Sequence, residues 1–273
     1  EILFTSGGTE SNNMALIGTA MANHRAGKHI ISTRIEHASV YNPLAYLEQQ
    51  GFEVTYLSVD SQGHISLEEL EAAIRPDTIL VSIMYVNNEM GAVEPVAEIG
   101  KLIKSIRPDI YFHVDAIQAY GKYVIRPKKE GIDLMSVSGH KIHGPREWAF
   151  YMWTKRSGSS PSSLAAASRR ECARGQKTFR AAPVWAWLSG RSIRTMTKVE
   201  RLYALKDRLV QGLSSLEGVT VHGRTGRDSA PQIVSAGFEG VRAEVLLHAL
   251  EDRGIYVSSG SACSSNHPGV SGT

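Results

Sequence analysis

The residue that most clearly suggests chemistry in this sequence is a lysine after a predicted strand. Lys141 follows Ser138 and His140 in the stretch SGHKIHGP, directly behind the apolar run LMSVSG. A lysine at a strand end, beside hydroxyl and imidazole groups that can bind a phosphate, suits a Schiff-base lysine that holds an aldehyde cofactor. Most lysines are instead solvated surface charges, so the neighbouring motifs must decide between the two interpretations.

Two further stretches carry groups that such a cofactor needs. Asp115 ends the apolar run YFHVD, where an unpaired buried carboxylate is costly and a protonated pyridine nitrogen is a natural partner. Gln118 follows closely and can bond a ring hydroxyl. The stretch TSGGTESNN is a small-residue turn that opens a helix, a geometry that binds phosphate on backbone N–H groups and a hydroxyl. The alternatives are a helix N-cap for Asp115 and an ordinary capped helix start for the turn.

Six motifs together give the chain a family resemblance. They are FTSGGTESNN, EHASVYNP, YVNNEMGAVEP, HVDAIQAYGK, SVSGHKIHGP and VSSGSACSS. Their order and spacing resemble those of the cysteine desulfurases of the NifS/IscS type, pyridoxal-phosphate enzymes of the class V aminotransferase family that take sulfur from L-cysteine. The resemblance implies an α/β chain with the PLP-dependent transferase fold of the aspartate aminotransferase type, ordinarily a homodimer with shared sites.

The resemblance also implies roles for residues in these motifs. Lys141 would hold the pyridoxal phosphate and move protons at the substrate α-carbon, while Asp115 would keep the pyridine nitrogen protonated. His37 would stack on the ring and assist proton transfer, although a histidine there can also be a satisfied polar residue at a helix start. Cys263, in a Ser/Gly-rich stretch, would swing to the substrate and take its sulfur as a persulfide. The other cofactor contacts would come from Gly8, Thr9, Asn88, Gln118, Ser138 and His140.

The elements that must position these residues alternate along the first half of the chain. Apolar runs predict strands at His29–Arg34, Glu53–Val59, Thr78–Val86, Tyr111–Asp115 and Leu134–Gly139. Amphipathic periodicity predicts helices at Ser66–Ile74, with a Ser-x-x-Glu capping box, and at Pro95–Ile106. This alternation favours a mainly parallel sheet covered on both faces, with ligand sites at the carboxyl ends of its strands.

A second region begins near Lys198. KVERLYALKDRLVQGLSSL predicts an amphipathic helix, GVTVHG and PQIVSAGFEG predict strands, and RAEVLLHALEDRGIYVS predicts a helix that leads into a strand. We therefore expect a large PLP-binding domain over residues 1–190 and a small, incomplete α+β domain over residues 191–273. The chain begins as if inside a strand and stops before the family's C-terminal region, so we expect truncation at both ends.

Composition narrows the class of protein. Two cysteines, Cys172 and Cys263, cannot build a disulfide framework, no Cys/His cluster has zinc spacing, and a reducing cytoplasm is the expected compartment. No metal site, signal peptide or membrane span is predicted. The net charge of +3 comes from residues 146–197, which carry ten Lys or Arg and two Glu. We therefore expect no direct nucleic-acid binding.

The segment 146–197 departs from the family. It holds all four tryptophans, and where the family continues Lys-Gly-Val-Gly-x-Leu-Tyr-Val this chain has REWAFYMW. Shifting the codons by one base restores the family strand and, further on, a Met-Arg-Ser-Gly-Thr-Glu-Asn-Val stretch. We therefore hypothesise a frameshifted translation over these residues and expect local disorder or misfolding. A coding sequence whose alternative frame lacks the family motif would contradict the hypothesis.

The resulting functional expectation is a PLP-dependent cysteine desulfurase. Its substrate would be L-cysteine, its products L-alanine and a persulfide, and its partner a sulfur-acceptor protein, either an iron–sulfur scaffold or a tRNA-thiolating enzyme. Two alternatives stay open: a lyase acting on selenocysteine or cysteine sulfinate, and an inactive product of a damaged desulfurase gene.

Overall fold

A seven-stranded sheet forms the centre of the larger unit in the computed structural model, which describes residues 1–144, 148–154 and 196–259. The strands are β1 (Ile2–Thr5), β2 (His29–Thr33), β3 (Glu53–Leu57), β4 (Thr78–Met84), β5 (Tyr111–Asp115), β6 (Leu134–Ser138) and β7 (Ala149–Trp153). Their order is β1-β7-β6-β5-β4-β2-β3, with β2 to β6 parallel and β7 antiparallel to both neighbours. The mainly parallel sheet predicted from sequence is confirmed.

Helices cover both faces of this sheet. They are α1 (Gly8–Asn23), α2 (Ala38–Gln49), α3 (Leu67–Ala73) and α4 (Val96–Ile106). One core cluster places Leu16 of α1 and Leu44 of α2 against strand residues such as Leu80. The other places Ile99 of α4 against the opposite face, which includes Phe112. The inner strands β2, β4 and β6 are buried along their whole length, and their sequences are accordingly rich in apolar residues.

A buried histidine links the three strands that lead to the predicted site. The His113 ring on β5 hydrogen-bonds the hydroxyl of Ser82 on β4 at 2.9 Å and that of Ser136 on β6 at 3.0 Å. Burial lowers the pKa of His113 to about 3, so the ring is neutral and donates on one side while it accepts on the other. These bonds fix the relative positions of the strands two residues before β5 ends at Asp115.

The strand β7 corrects one expectation from the sequence. Residues 148–154 belong to the segment for which we expected disorder or misfolding, yet Ala149–Trp153 pairs with both β1 and β6. Phe150, Tyr151 and Trp153 are buried there, and the rings of Tyr151 and Trp153 stack with centroids 5.5 Å apart. The physical reason is that a run of aromatic and apolar residues fits a strand between two others, whichever reading frame encodes it. The frameshift itself stays a hypothesis.

The second region contains a two-stranded sheet and two helices. Its elements are α5 (Met196–Ser214), β8 (Val219–His222), β9 (Ser235–Phe238) and α6 (Ala243–Glu251). The strand predicted within GIYVS is wrong: residues 255–258 form no strand, and Tyr256 is 81% exposed. A strand needs a neighbour for its backbone groups, and in the described part of this region only β8 and β9 pair. The predicted boundary between residues 190 and 191 lies outside the described residues.

A buried lysine joins the two regions. Lys206 on α5 donates to the Ser229 hydroxyl at 2.7 Å and to the Ala230 carbonyl at 2.8 Å. Ser229 and Ala230 both donate in turn to the carbonyl of Gly91, after β4. Burial lowers the pKa of Lys206 to about 8. Among the described helices, none is long and apolar enough to cross a membrane.

The contact between α4 and the β5–β6 connection gives a stability prediction. Alanine usually stabilises a helix interior relative to glycine by about 1 kcal/mol. At Gly100, however, a Cβ would overlap the backbone carbonyl oxygen of Glu130 and lie 3.4 Å from Cδ1 of Phe112. We therefore expect Gly100→Ala to destabilise the fold by about 1–3 kcal/mol, the range typical of overpacking, as measured by urea unfolding.

The matched control is Gly212→Ala in α5, where nothing lies within 4 Å of the added methyl group. That substitution should leave the free energy of unfolding unchanged or raise it by up to about 1 kcal/mol. Equal effects of the two substitutions would contradict the packing described here.

Candidate active site

The predicted site residues converge at the carboxyl ends of the central parallel strands. His37 follows β2, Asn88 follows β4, Asp115 ends β5, and Lys141 follows β6. The first residue of α1, Gly8, lies against the end of β6, because a Cβ at that position would be 3.5 Å from the Cβ of Ser138. This is the edge at which open α/β sheets bind ligands.

The lysine lies in a tight turn held from both ends. Gly139–Ile142 forms one turn of 3₁₀ helix, closed by the Gly144 N–H, which donates to the Gly139 carbonyl at 2.8 Å. His143 adopts the left-handed conformation with φ 61°, which is unusual for a residue with a side chain and is found at constrained functional turns. Lys141 is half-buried in this turn.

A second lysine lies beside the first. The Lys122 ammonium donates to the main-chain carbonyl of Lys141 at 3.1 Å. Burial, with a smaller contribution from the positive charge of Lys141, lowers the pKa of Lys122 to about 8. Sequence reasoning missed Lys122, although it occurs in the quoted motif HVDAIQAYGK, because no local pattern places it near the turn.

Asp115 is a buried carboxylate with two hydrogen-bond donors. Its Oδ1 accepts from the Ile117 N–H at 3.0 Å and its Oδ2 from the Asn12 side-chain amide at 2.8 Å. Burial raises the pKa of Asp115, and these two bonds and the nearby His37 oppose that rise. The Ile117 bond resembles the cap considered from the sequence, but no helix follows it. Within the described ranges no salt bridge reaches this carboxylate.

His37 is the N-cap residue of α2. Its Nδ1 accepts from the Ser39 N–H at 3.1 Å and lies 2.8 Å from the Ser39 hydroxyl. The same hydroxyl accepts from the Asn12 amide at 2.9 Å. The histidine and Asp115 are therefore connected through Ser39 and Asn12. The structure thus supports the helix-start interpretation of His37 and also places the residue at the site edge.

The start of α1 has the features of an anion-binding turn. Gly7 is the N-cap, its backbone is extended, and no side chain caps the helix. Nothing lies within 4 Å of the position where a Cβ of Gly7 would be. The Ser138 hydroxyl and the His140 Nδ1, 2.7 Å apart, lie at the adjoining strand end. Uncapped N–H groups at a helix start, next to hydroxyl and imidazole groups, suit a phosphate.

The remaining predicted residues have less distinctive surroundings. Asn88 is half-buried after β4, and it is the preceding Asn87 whose amide organises the turn, accepting from the Glu89 and Met90 N–H groups and donating to the Ile35 carbonyl. Gln118 is half-buried, and its main-chain carbonyl accepts a hydrogen bond from the Gln232 side-chain amide. Thr9 is exposed at the start of α1. Cys263 and Cys172 lie outside the described residues.

A half-buried glutamate next to His37, Glu36, was also missed by sequence reasoning. Glu36 Oε1 accepts from the Met84 N–H at 2.8 Å and from the Thr33 hydroxyl at 3.0 Å. Its Oε2 is buried without a hydrogen-bond partner among the described residues. Burial and the nearby charge of Asp115 raise the pKa of Glu36 to about 8, so this carboxyl group is protonated at neutral pH. Among the described residues, no group of three His, Cys, Asp or Glu side chains could hold a metal ion.

Comparison with known proteins identifies the family. The chain matches the family model of the class-V aminotransferases over residues 1–146 and 181–273. It belongs to that family. The unmatched residues, 147–180, lie inside the segment 146–197 that departs from the motif pattern. The family depends on pyridoxal 5'-phosphate.

Named relatives and solved structures agree with this assignment. The chain is 42% identical over 269 residues to a NifS/IcsS protein homolog of Lactobacillus delbrueckii subsp. bulgaricus, with 97% of this chain and 69% of that protein covered. It is 43% identical to cysteine desulfurase IscS of Methanosarcina thermophila, covering 97% of this chain and 65% of that protein. Against the mitochondrial cysteine desulfurase of Saccharomyces cerevisiae the identity is 44%, with 97% and 53% covered. The chain thus spans about half to seven tenths of the length of these relatives.

Solved protein structures also resemble the fold of this chain. A solved NifS-like protein superposes with a TM-score of 0.82 at 31% identity, covering 95% of this chain and 71% of that one. DndA from Streptomyces lividans superposes with a TM-score of 0.74 at 33% identity, covering 92% and 72%.

The donor set of this chain fits pyridoxal phosphate. Asp115 supplies a buried carboxylate without a cationic side-chain partner among the described residues, which suits a protonated pyridine nitrogen. The uncapped start of α1 and the Ser138–His140 pair suit the phosphate, and Lys141 suits the aldehyde. Three chemically distinct requirements of one cofactor are therefore met along one sheet edge.

The protonated state of Glu36 gives a pH-dependent stability prediction. Because the pKa of Glu36 in the folded chain is about 8, against about 4.3 for an unperturbed glutamate, the folded state binds more protons than the unfolded state between these values. Its contribution to stability is therefore present at low pH and falls as the pH rises through this window. Relative to the wild type, Glu36→Gln should gain stability from about pH 5 to about pH 8, and the gain should then level off.

Urea unfolding at pH 5, 7 and 9 measures this difference, with Glu71→Gln on the exposed face of α3 as the matched control. A stability difference between Glu36→Gln and wild type that stays constant over the three pH values would show that Glu36 is ionised throughout.

Proposed function

We propose that this chain is the cofactor-binding core of a cysteine desulfurase, which takes sulfur from L-cysteine and leaves L-alanine. The observation that carries the proposal is the convergence of Lys141, Asp115 and the uncapped start of α1 on one sheet edge. Relatives that are 42–44% identical to this chain are named cysteine desulfurases. Those names support the reaction class. Since the chain covers only part of those relatives, the activity itself is what must be tested.

Each described residue has a defined part in this proposal. Pyridoxal phosphate, when bound, supplies a ring that accepts an electron pair from the substrate α-carbon. Asp115 would hold the ring nitrogen in its protonated form, and Lys141 would bind the aldehyde and move the proton at the α-carbon. His37 would stack on the ring. Gly8, Thr9, Ser138 and His140 would bind the phosphate, and Asn88 and Gln118 would contact the ring hydroxyl side.

Sulfur transfer is assigned to Cys263. The Cys263 thiolate attacks the sulfur of the substrate, an S–S bond forms, and the C–S bond of the substrate breaks. The electron pair of that bond stays with the carbon, which takes a proton and becomes the methyl group of alanine. One thiol and one cysteine therefore give one persulfide and one alanine, and no external oxidant or reductant is needed.

The wider setting belongs to the same proposal. The persulfide would pass to a sulfur-acceptor protein, an iron–sulfur scaffold or a tRNA-thiolating enzyme, and the working form would be a homodimer; both follow from the motif resemblance. A cytoplasmic location is proposed because the cysteine content suits a reducing compartment.

The two cysteines and the lysine provide a sharp test. In purified protein supplied with pyridoxal phosphate, Lys141→Ala should lose the visible absorbance of the covalently bound cofactor and lose activity at least about a hundredfold. Cys263→Ser should keep that absorbance but form no persulfide and release no sulfide from L-cysteine in the presence of a thiol reductant. Cys172→Ser is the matched control and should behave as the wild type.

Different failures have different meanings. Cofactor binding without alanine formation from L-cysteine, but with turnover of selenocysteine or cysteine sulfinate, would replace the proposed activity with that of a lyase. A wild-type chain that binds no cofactor at all would reject the proposal and identify an inactive product of the gene.

A further inference from the structure

We propose that Asn12 and Ser39 form a hydrogen-bonded relay from Asp115 to His37 that holds the imidazole in its Nε2–H tautomer. Asn12 and Ser39 are positioning residues in this proposal, and the use of His37 in turnover rests on the proposed function above. The tautomer itself is a property of the chain without cofactor and can be measured independently of any activity.

The relay begins with the side-chain amide of Asn12, on the second turn of α1. Asn12 is fully buried, and its Nδ2 donates one hydrogen to Asp115 Oδ2 at 2.8 Å and the other to the Ser39 hydroxyl at 2.9 Å. Its Oδ1 is buried and has no hydrogen-bond partner within the described part of the chain. The amide therefore makes all of its described hydrogen bonds as a donor, which is the orientation that an ionised carboxylate demands.

The amide orientation fixes the direction of the next bond. An ionised Asp115 only accepts, so turning the Asn12 amide over would bring two acceptor oxygens together. With the amide held, the Ser39 hydroxyl oxygen accepts from Asn12, and its single proton is left for His37 Nδ1 at 2.8 Å. The hydroxyl alone can point either way; Asn12 removes that freedom.

The imidazole then has only one compatible neutral form. His37 Nδ1 also accepts from the Ser39 backbone N–H at 3.1 Å, so two donors converge on this atom. A proton on Nδ1 would point toward both donors, and neither hydrogen bond to Nδ1 could form. The ring proton therefore lies on Nε2, and the edge of the ring away from α2 carries an N–H donor. A neutral imidazole with a fixed N–H is suited to donating a hydrogen bond at the site.

The Asn12 side-chain amide couples the charge state of Asp115 to the tautomer of His37. Asp115 needs its Asn12 hydrogen bond because the residue is only 5% exposed. His37 needs the Ser39 hydroxyl to donate toward it, and the Asn12 amide imposes that direction. The state of the carboxylate is thereby transmitted over three hydrogen bonds to the histidine. Asn12 lies one helical turn after Gly8, on the same face of α1, so one helix supplies both the predicted phosphate-binding start and the relay.

The test is the tautomer of His37, read from the ¹⁵N shifts of protein labelled with [¹⁵N]histidine at about pH 9, well above the ordinary titration range of imidazole. A His37→Gln spectrum assigns the signals among the ten histidines of the chain. His24 is an internal reference of the opposite kind, because its Nδ1 lies 2.7 Å from the Met21 carbonyl, which can only accept. We expect the Nε2–H form of His37 to exceed the Nδ1–H form at least about tenfold, the ratio that one typical hydrogen bond sustains.

Variants separate the relay from the Ser39 backbone bond alone. Asn12→Leu, of similar volume but without a donor, should lower that tautomer ratio several-fold, and Ser39→Ala should lower it by the same factor. The double variant should show no further change, because either substitution breaks one chain of bonds. Asn13→Leu, one residue along the same helix, is the matched control and should leave the ratio as in the wild type.

Three results would overturn the proposal. A predominant Nδ1–H form in the wild type would show that the Ser39 hydroxyl accepts from His37 instead of donating to it. An unchanged ratio in Asn12→Leu would remove Asn12 from it, and additive effects of the two substitutions would show two independent contacts. The wild-type measurement needs no substitution, so it decides the tautomer even if a variant does not fold. Loss of desulfurase activity in every preparation, with the expected tautomer intact, would count against the proposed function and leave the relay standing.

Discussion

The site depends on the burial of one carboxylate. Asp115 lies at the end of a central strand, 5% exposed, with two neutral donors and no cationic side-chain partner among the described residues. Removing a carboxylate from water costs several kcal/mol, and each hydrogen bond to a charged group returns only about 1.5–3 kcal/mol. Burial therefore raises the pKa of Asp115 and disfavours its ionised form, and a cationic ring nitrogen is the kind of ligand that stabilises that form.

The surroundings of Asp115 limit how much charge the sheet edge carries. Burial and, to a smaller extent, the nearby charge of Asp115 raise the pKa of Glu36 to about 8, so Glu36 keeps its proton at neutral pH. On the far side, burial lowers the pKa of Lys122 to about 8 next to the Lys141 turn. Two groups of opposite sign thus change their charge near the same pH. Such shifts are concentrated where a site must hold charge that is not compensated by ordinary ion pairs.

The sequence predicts those parts of the structure that local pattern determines. β5 and β6 follow from continuous apolar runs, and the rule that ligands bind at the carboxyl ends of parallel strands places Asp115 and Lys141 together. The Asn12–Asp115 bond joins residues 103 positions apart, and no local pattern encodes such proximity. Gly8 and Asn12 are four residues apart, so helical periodicity would have placed both on the face of α1 that lies toward the sheet. The strand predicted near Tyr256 was wrong because an apolar run without a neighbouring strand gains no backbone pairing.

Backbone hydrogen bonds connect the Lys141 turn to β7. Ser138 pairs with Ala149 where β6 and β7 meet, and the Gly139 N–H donates to the Trp148 carbonyl at 2.7 Å. Any residue except proline supplies the N–H groups that such a ladder needs, and any residue supplies the carbonyls. Consequently the turn that holds the lysine requires β7 to be a strand, and the apolar side chains of β7, such as Phe150, add packing in the core cluster that includes Ile142 of the turn. A segment that departs from the family in sequence can therefore still complete the sheet and hold the lysine turn beside Asp115.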